Sequence, residues 1–221
     1  KLIWSCNFEV NIASKEMLLL MQRAGCWSIM IGAESGNQEI LDRIRKGIKV
    51  EQIHKVSKWA YEIGLMGRAS FILGHPGDTK ESIAETIQLA KKINFPFITF
   101  SLMTPLPGTE MFETAMNMNF IPKDFKPENF YGFGKGVINS EEWSGEELQV
   151  KRAMEWDRIN FPASRPEHHK KLAKMLGITM DELKIWRQET RKNSGVQVKS
   201  ADKTDEALAT RTSPDLTQTT H

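Results

Sequence analysis

Short apolar runs alternate with longer amphipathic segments along the first half of the chain. The short runs have the length and the apolar content of buried strands, and the segments between them place apolar residues at helical spacing. The predicted strands are Leu2–Cys6, Trp27–Ile31, Ala69–Leu73 and Phe97–Leu102. The predicted helices are Lys15–Ala24, Asn37–Arg45, Glu51–Ile63 and a helix capped by Asp78 or Thr79 that runs to about Ile93. Strands that alternate with helices pair in parallel, so the pattern predicts an α/β fold.

The number of strand–helix units bears on the kind of parallel fold. Four units are too few to close a barrel of eight strands. The chain begins at Lys1 inside a strand-like run, with no initiator methionine and no signal peptide. If the sheet belongs to a barrel, we expect its first strands to precede Lys1.

The second half of the chain has a different pattern. Residues 114–140 lose the helical period and combine proline and glycine with aromatic residues, which predicts a structured loop or lid. Helices are predicted at Ser144–Asn160, Pro166–Leu176 and Leu183–Arg191. Residues 194–221 are rich in polar residues and predict a disordered tail. The predicted organisation is a partial barrel over 1–113, a loop plus helical extension over 114–193, and the tail over 194–221.

Composition narrows the possible partners and the compartment. The chain has 30 Lys and Arg against 28 Asp and Glu, and a net charge of +2 gives no reason to expect nucleic acid as a partner. No apolar run reaches the roughly 20 residues of a membrane span. Two cysteines, Cys6 and Cys26, do not form a disulfide framework, so we expect reduced thiols and a cytoplasmic protein.

The first candidate site follows the second predicted strand, in the segment from Ile31 to Gly36 (Ile-Gly-Ala-Glu-Ser-Gly). Ligands of parallel α/β proteins bind at the carboxyl ends of the strands. Glu34 lies just past that end, where a carboxylate can accept two hydrogen bonds from a ribose diol. The alternative is an ordinary strand–helix turn, in which the Glu34 carboxylate only stabilises the positive N-terminal end of the next helix dipole.

Two further segments offer candidate groups. Lys46 follows the short second helix and could turn back toward a carboxylate at the barrel mouth, or it could simply stabilise the end of that helix. In the segment Ser70–Thr79, the strand alternation places Ser70 on the face opposite Phe71, where a ligand could supply its hydrogen-bond partner. His75, in the same segment, is either an acid–base group or, as is more common for a loop histidine, structural.

These motifs in this order resemble the radical S-adenosylmethionine (SAM) superfamily. The resemblance rests on Gly32–Gly36, the spacing from Leu41 to Lys46, the segment Phe71–Thr79 and the segment Pro105–Thr109. It is strongest for the class that carries an N-terminal cobalamin-binding domain, which includes anaerobic magnesium-protoporphyrin monomethyl ester cyclases and many methyltransferases. It covers residues 1–115 well and 140–170 loosely.

The resemblance implies an open (βα)6 TIM-like barrel of which residues 1–113 are the later units. It also implies that a [4Fe–4S] cluster on three cysteines binds SAM and cleaves it reductively, with an electron donor, a small-molecule substrate and possibly cobalamin. By the same comparison Glu34 would hold the ribose hydroxyls, Lys46 the SAM carboxylate, and Ser70 a polar group of the ribose or amino acid. The full implied cofactor-binding set is Glu34, Ser35, Lys46, Ser70, Leu73 and Gly74.

The chain departs from the family in one respect that matters for function. The cluster-binding cysteine motif would precede Lys1, and neither Cys6 nor Cys26 belongs to such a motif, so no metal ligand is predicted here. We therefore expect the C-terminal part of a radical methylase or oxidative cyclase, inactive without its upstream cluster loop and cobalamin domain. Two alternatives remain: a non-catalytic binding or scaffold module, and a TIM-barrel lyase that binds phosphate at Gly74–Thr79.

Overall fold

A parallel sheet of four strands forms the centre of the protein, as a computed structural model shows. The structure describes residues 2–121, 125, 136–162 and 166–193. The strands are β1 (Trp4–Asn7), β2 (Cys26–Glu34), β3 (Met66–Leu73) and β4 (Phe97–Leu102), and they lie in chain order. Each pairs in parallel with the next, which confirms the predicted α/β fold of a partial barrel. The predicted tail lies outside the described residues, as do 122–124 and 126–135 of the loop predicted over 114–140, and the first residues of that predicted loop continue a helix that ends at Asn117.

Eight α-helices and one 3₁₀ turn are found in the described ranges. The helices are α1 (Lys15–Arg23), α2 (Gln38–Arg43), α3 (Val50–Glu62), α4 (Lys80–Lys92), α5 (Glu110–Asn117), α6 (Gly145–Asn160), α7 (Pro166–Leu176) and α8 (Met180–Asn193). The 3₁₀ turn, Val10–Ile12, was not predicted. The predicted boundary at residue 113 falls inside α5. Strands β2 and β3 are longer than predicted, because glycine and alanine at their ends continue the ladder although they carry no strand signal.

One face of the sheet is apolar and covered by helices. Alternate residues of β3, such as Phe71, point to this face and are buried, and the Phe71 and Phe100 rings lie 5.7 Å apart. The helices contribute the facing side of the same core, including Leu18, Ile53, Val56, Ala60, Ile83, Ile87 and Ala90. This burial explains the apolar residues at alternate strand positions, because positions covered by helices need apolar side chains.

The opposite face of the sheet, which we call the inner face, is polar and only partly covered. Register pairs share a face, so the inner positions are Ser5, Asn7, Ser28, Met30, Gly32, Met66, Arg68, Ser70, Ile72, Phe97, Thr99 and Ser101. Seven of these twelve residues are polar, and five of the seven carry a hydroxyl group. In barrels of this kind the face opposite the helices is the interior, and a polar interior is suited to a ligand rather than to a packed core.

The free edge of β4 is closed by α6 rather than by another strand. The Asn160 side chain, 1% exposed, accepts a hydrogen bond from the Ile98 amide (2.9 Å) and donates one to the Ile98 carbonyl (2.8 Å). The Arg152 guanidinium donates to the Phe100 carbonyl at 3.3 Å. Side chains of α6 therefore occupy the hydrogen-bonding positions of a fifth strand. The sheet ends at β4, and only the β1 edge is left for further strands.

The helical extension packs beside the start of β4 through aromatic rings. The Trp186 ring of α8 lies 6.1 Å from Phe97 and 5.3 Å from Trp156 of α6. Phe161 packs on Trp156 at 5.2 Å. These contacts join α6 and α8 to the sheet in one core. Every helix in the described part of the chain is too short or too polar to cross a membrane.

Candidate functional site

The candidate site lies on the inner face at the carboxyl ends of β2 and β3. The Lys46 ammonium donates to Glu34 Oε1 at 3.1 Å, and the two side chains are 26% and 19% exposed. Lys46 comes from the loop between α2 and α3, and Glu34 is the last residue of β2. An accessible carboxylate and ammonium thus meet at the edge where parallel α/β proteins bind ligands.

The backbone of β2 turns sharply so that Glu34 faces inward. The β2–β3 register shifts between Gly32 and Glu34, and Glu34 adopts a left-handed conformation with φ of 61°. The next amide, of Ser35, donates back to the Ala33 carbonyl at 2.7 Å. A glutamate in this region is unusual, and such strained residues concentrate at ligand sites.

The position of Lys46 follows from how α2 ends. The Lys46 amide donates to the Leu41 carbonyl and the Arg45 amide to the Asp42 carbonyl, which is the Schellman arrangement. Arg45 takes the left-handed position, with φ of 53°, and its guanidinium forms two hydrogen bonds with Glu110 of α5. This tight turn directs the Lys46 side chain to Glu34. The backbone of Lys46 therefore caps the helix while its ammonium belongs to the site.

Ser70 is brought to the same place by the sheet register. It pairs with Gly32, the residue over which the Glu34–Lys46 pair lies: a β-carbon on Gly32 would be 2.4 Å from Glu34 Oε1. The Ser70 hydroxyl has only a long contact, 3.5 Å, to the Ile31 carbonyl. Glu34, Lys46 and Ser70 thus form one polar cluster around a strand position that has no side chain.

Ser35 points away from this cluster. Its hydroxyl is buried, shares a hydrogen bond with Thr86 of α4 at 3.1 Å and accepts one from the Asn37 amide. The Gly36 amide donates to the same Thr86 hydroxyl at 2.9 Å. Ser35 therefore anchors the turn after Glu34 to α4, and its side chain does not reach the inner face.

Leu73 and Gly74 reach the rim only with their backbones. The Leu73 side chain is buried in the helix-covered core, and its carbonyl accepts from the Met103 amide at 2.9 Å. Gly74 has φ of 86°, and a β-carbon there would lie 2.9 Å from Leu148 and 3.2 Å from Trp143. A residue other than glycine would therefore clash with α6 and the segment before it.

The loop after Gly74 is held by a buried carboxylate. Asp78 Oδ2 accepts from the amides of Gly74 (3.0 Å) and His75 (2.8 Å), and Oδ1 accepts from the Ser82 hydroxyl (2.6 Å). Burial raises the pKa of Asp78 above its usual value, and these hydrogen bonds oppose that rise. A phosphate bound at Gly74–Thr79 would need the amides of Gly74 and His75 as hydrogen-bond donors. Both amides already donate to Asp78.

His75 is buried inside this loop and offers no accessible base. The side chain is 3% exposed, and both ring nitrogens lack a hydrogen-bond partner. Burial lowers the pKa of His75 from 6.5 to about 4. A neutral, enclosed imidazole of this kind fits the structural alternative rather than acid–base catalysis.

Acid should destabilise the protein through His75. Below about pH 6.5 the unfolded chain binds a proton at His75, whereas the folded chain binds one only near pH 4. The free energy of unfolding is therefore highest above pH 6.5 and falls as the pH drops toward 4. The shift corresponds to about 3 kcal/mol. Urea unfolding across this range should show the loss in the wild type, and His75→Gln should show a smaller loss.

The control is His54→Gln, at a partly exposed position of α3. This variant should keep the wild-type dependence on pH. Equal slopes for His75→Gln and the wild type would mean that His75 titrates normally in the folded protein.

Two site features were missed from the sequence. Arg68 precedes the predicted start of β3, yet the alternation that places Ser70 inward also places Arg68 inward, so the signal was present. Trp143, whose indole donates to the Asp78 carbonyl at 2.9 Å, packs on Gly74 from about 70 residues away. No local pattern could predict that contact.

The cysteines lie on the covered side of the sheet. Cys26 is buried and donates to the Ser28 carbonyl, and burial raises the pKa of its thiol; Cys6 is half-buried. A [4Fe–4S] cluster of the kind considered needs three thiolates, and the chain has two cysteines. The residues present therefore do not fit an iron–sulfur cluster.

Comparison with known proteins identifies the sheet region. The family model described as "Radical SAM superfamily" matches residues 3–111. An uncharacterized methyltransferase of Pyrococcus horikoshii is 35% identical over 118 residues, which cover 53% of this chain and 26% of that protein. The anaerobic magnesium-protoporphyrin IX monomethyl ester cyclase of Rubrivivax gelatinosus is 26% identical over 113 residues, covering 50% of this chain and 20% of the cyclase.

A solved structure is similar in fold to this protein. The cobalamin-dependent SAM radical enzyme OxsB, solved with aqua-cobalamin and SAM bound, aligns with a TM-score of 0.56 at 16% identity. The alignment covers 95% of this chain and 37% of OxsB. This chain spans about a quarter or less of the length of the two curated relatives.

Proposed function

Because residues 3–111 of this chain belong to the radical SAM superfamily, we propose that the chain is the nucleoside-binding part of a radical SAM enzyme. It would supply the later strands of the barrel and hold SAM along the carboxyl ends of β2 and β3. The reaction of the complete enzyme would be a radical methylation or an oxidative cyclisation. The methyltransferase and cyclase named above support these two reaction types.

The observation that carries the proposal is the cluster of Glu34, Lys46 and Ser70 on an open polar face. Glu34 and Lys46 contact each other over Gly32, the register partner of Ser70, and nothing but glycine would leave that space open. A nucleoside with a ribose diol and an amino-acid group presents hydroxyls, a carboxylate and an ammonium. The cluster offers a complementary acceptor, cation and hydroxyl.

Each residue has a distinct role in this proposal. Glu34 accepts hydrogen bonds from the ribose hydroxyls, and Lys46 turns from Glu34 toward the carboxylate of the ligand. Ser70 contacts a polar group of the ribose or amino acid. Ser35, through Thr86, keeps the strained turn of Glu34 in place, and the backbone at Leu73 and Gly74 borders the adenine. Bound SAM would supply the sulfonium group whose reductive cleavage begins the radical chemistry.

The remaining parts of the enzyme would lie outside this chain. The free edge of β1 and the exposed Leu2 and Ile3 fit pairing with preceding barrel strands that carry the cluster loop. We propose that an upstream cobalamin domain and an electron donor complete the enzyme, that it acts on a small molecule in the cytoplasm, and that this chain alone is inactive.

Replacing Glu34 with alanine should weaken SAM binding by the chain by at least about tenfold, or 1.4 kcal/mol. Loss of the carboxylate leaves the ribose hydroxyls unpaired and Lys46 without its partner. Isothermal titration calorimetry with SAM measures the affinity directly and requires no turnover. Glu39→Ala, an exposed glutamate in the first turn of α2, is the matched control and should bind like the wild type.

Calorimetry on Lys46→Met, with SAM and with 5′-deoxyadenosine as ligands, tests the contact between Lys46 and the SAM carboxylate. Lys46→Met should weaken SAM but leave 5′-deoxyadenosine, which has no carboxylate, within about twofold of the wild type. Equal SAM affinity in the wild type and Glu34→Ala would reject the ribose role. No SAM binding by the wild type at any concentration tested would favour the scaffold alternative.

A further inference from the structure

Arg68 is the only basic residue in the four described strands, and it points to the inner face. It pairs with Met30 on one side and with Phe97 on the other. Ser70, two residues further along β3, occupies the next inward position. The Arg68 backbone therefore lies about 7 Å below the Gly32–Ser70 level, measured along the strand, and the Glu34–Lys46 pair lies over Gly32.

The guanidinium packs on an aromatic ring, and no carboxylate among the described residues pairs with it. It lies over the Phe97 ring, 5.3 Å from the ring centre, and its Nε is buried without a hydrogen-bond acceptor. Within the described ranges Arg68 forms no ion pair with a carboxylate. A buried donor of a charged group normally has an acceptor, because leaving it unpaired is costly.

We propose that Arg68 binds a carboxylate of the substrate inside the barrel, below the SAM site. The planar guanidinium matches a carboxylate through two parallel hydrogen bonds. The nearby Thr99 hydroxyl makes only a long contact, 3.4 Å, with the Ala69 carbonyl, and it can add a donor. This inference deepens the proposed function, since it assigns the substrate a negatively charged group.

Charge and distance favour a carboxylate of the substrate over two other anions. Inorganic phosphate carries about two negative charges, and Arg68 is the only described cation on its strand level of the inner face. The attraction to one guanidinium would not offset the cost of removing a doubly charged anion from water. The SAM carboxylate is the second alternative. Lys46 already lies beside Glu34 at the upper layer, so a nucleoside held by Glu34 has a cation for its own carboxylate there.

The test uses the whole 221-residue chain and sodium acetate as the probe. Arginine side-chain Nε–H signals are followed by NMR during titration at constant ionic strength, with acetamide as the neutral isostere. Acetate should shift the Arg68 signal saturably and bind at least about tenfold more tightly than phosphate, while acetamide should have no effect. Isothermal titration calorimetry, which does not depend on the Arg68 signal, should show acetate binding about tenfold weaker in Arg68→Lys and no binding in Arg68→Met. Arg23→Met, at an exposed site at the end of α1, should bind acetate normally.

Two outcomes would overturn the inference. The first is an Arg68 signal that does not respond to acetate, which would make Arg68 a structural group. The second is a tenfold loss of affinity for SAM, but not for decarboxylated SAM, in Arg68→Met, which would assign the carboxylate to SAM itself. Both outcomes differ from failure of the proposed function. That failure would appear as equal SAM affinity in Glu34→Ala and the wild type, and it would leave acetate binding at Arg68 unchanged.

Discussion

Replacing Asn160 with leucine should lower the free energy of unfolding by roughly 2–6 kcal/mol. The side chain is almost fully buried and satisfies both the amide and the carbonyl of Ile98, besides donating to the Trp156 carbonyl. Leucine fills a similar volume but leaves two backbone groups of β4 without partners, at about 1–3 kcal/mol each. Urea unfolding of the chain measures the difference. Val150→Ala, on the exposed side of the same helix, should cost far less.

Asn160→Asp separates hydrogen bonding from packing. An aspartate can accept from the Ile98 amide, but its second oxygen faces the Ile98 carbonyl and repels it unless a proton lies between them. The folded protein therefore favours the protonated acid, so the stability of this variant relative to the wild type should be greatest below the ordinary pKa of about 4 and fall as pH rises. If Asn160→Leu unfolds like the wild type, α6 does not serve as the edge of the sheet.

Replacing Gly32 with alanine should reduce SAM affinity at least about tenfold while the chain stays at least as stable as the wild type. The new β-carbon would lie 2.4 Å from Glu34 Oε1 and 3.1 Å from the Lys46 ammonium. These atoms are the ends of flexible side chains, so the pair moves and the strand does not. Alanine also restricts the unfolded chain, which adds about 0.4–1 kcal/mol of stability where its backbone conformation is acceptable.

Calorimetry with SAM and urea unfolding should be measured on the same Gly32→Ala preparation. The control is Met30→Ala, two positions earlier on the same face and exposed, which should bind SAM within about twofold of the wild type. Unchanged affinity in Gly32→Ala would show that the Glu34–Lys46 pair is not part of a nucleoside site. A large loss of stability would place the effect in the fold instead.

The secondary structure was largely predictable because it depends on local patterns. The period of apolar residues predicted the four strands and most of the helices, and of the two capping candidates Asp78 and Thr79 the structure confirms Thr79. The Gly-x-Glu segment was expected just past the carboxyl end of β2, and Glu34 is the last residue of that strand. Boundaries were less exact where Gly32 and Ala33 extend a strand without any strand signal.

The candidate site was predictable only in part. Glu34, Lys46 and Ser70 come together as expected, but their contact depends on a register shift and on a left-handed turn at Arg45. Ser35 is adjacent to Glu34 in sequence, yet its side chain is directed to Thr86. Neighbours along a strained turn can face opposite ways, and the alternation rule does not extend through such a turn.

The sequence by itself determined the parallel α/β fold, the apolar face of its sheet and the order of the ligand-side loops. Each of these follows from the period and type of residues within about 15 positions of one another. Only the tertiary structure decided that Asn160 closes the edge of β4, that Trp143 and Leu148 require glycine at position 74, and that no described carboxylate pairs with Arg68. Those features join residues far apart in the chain. They arise from packing between finished elements, which no local pattern encodes.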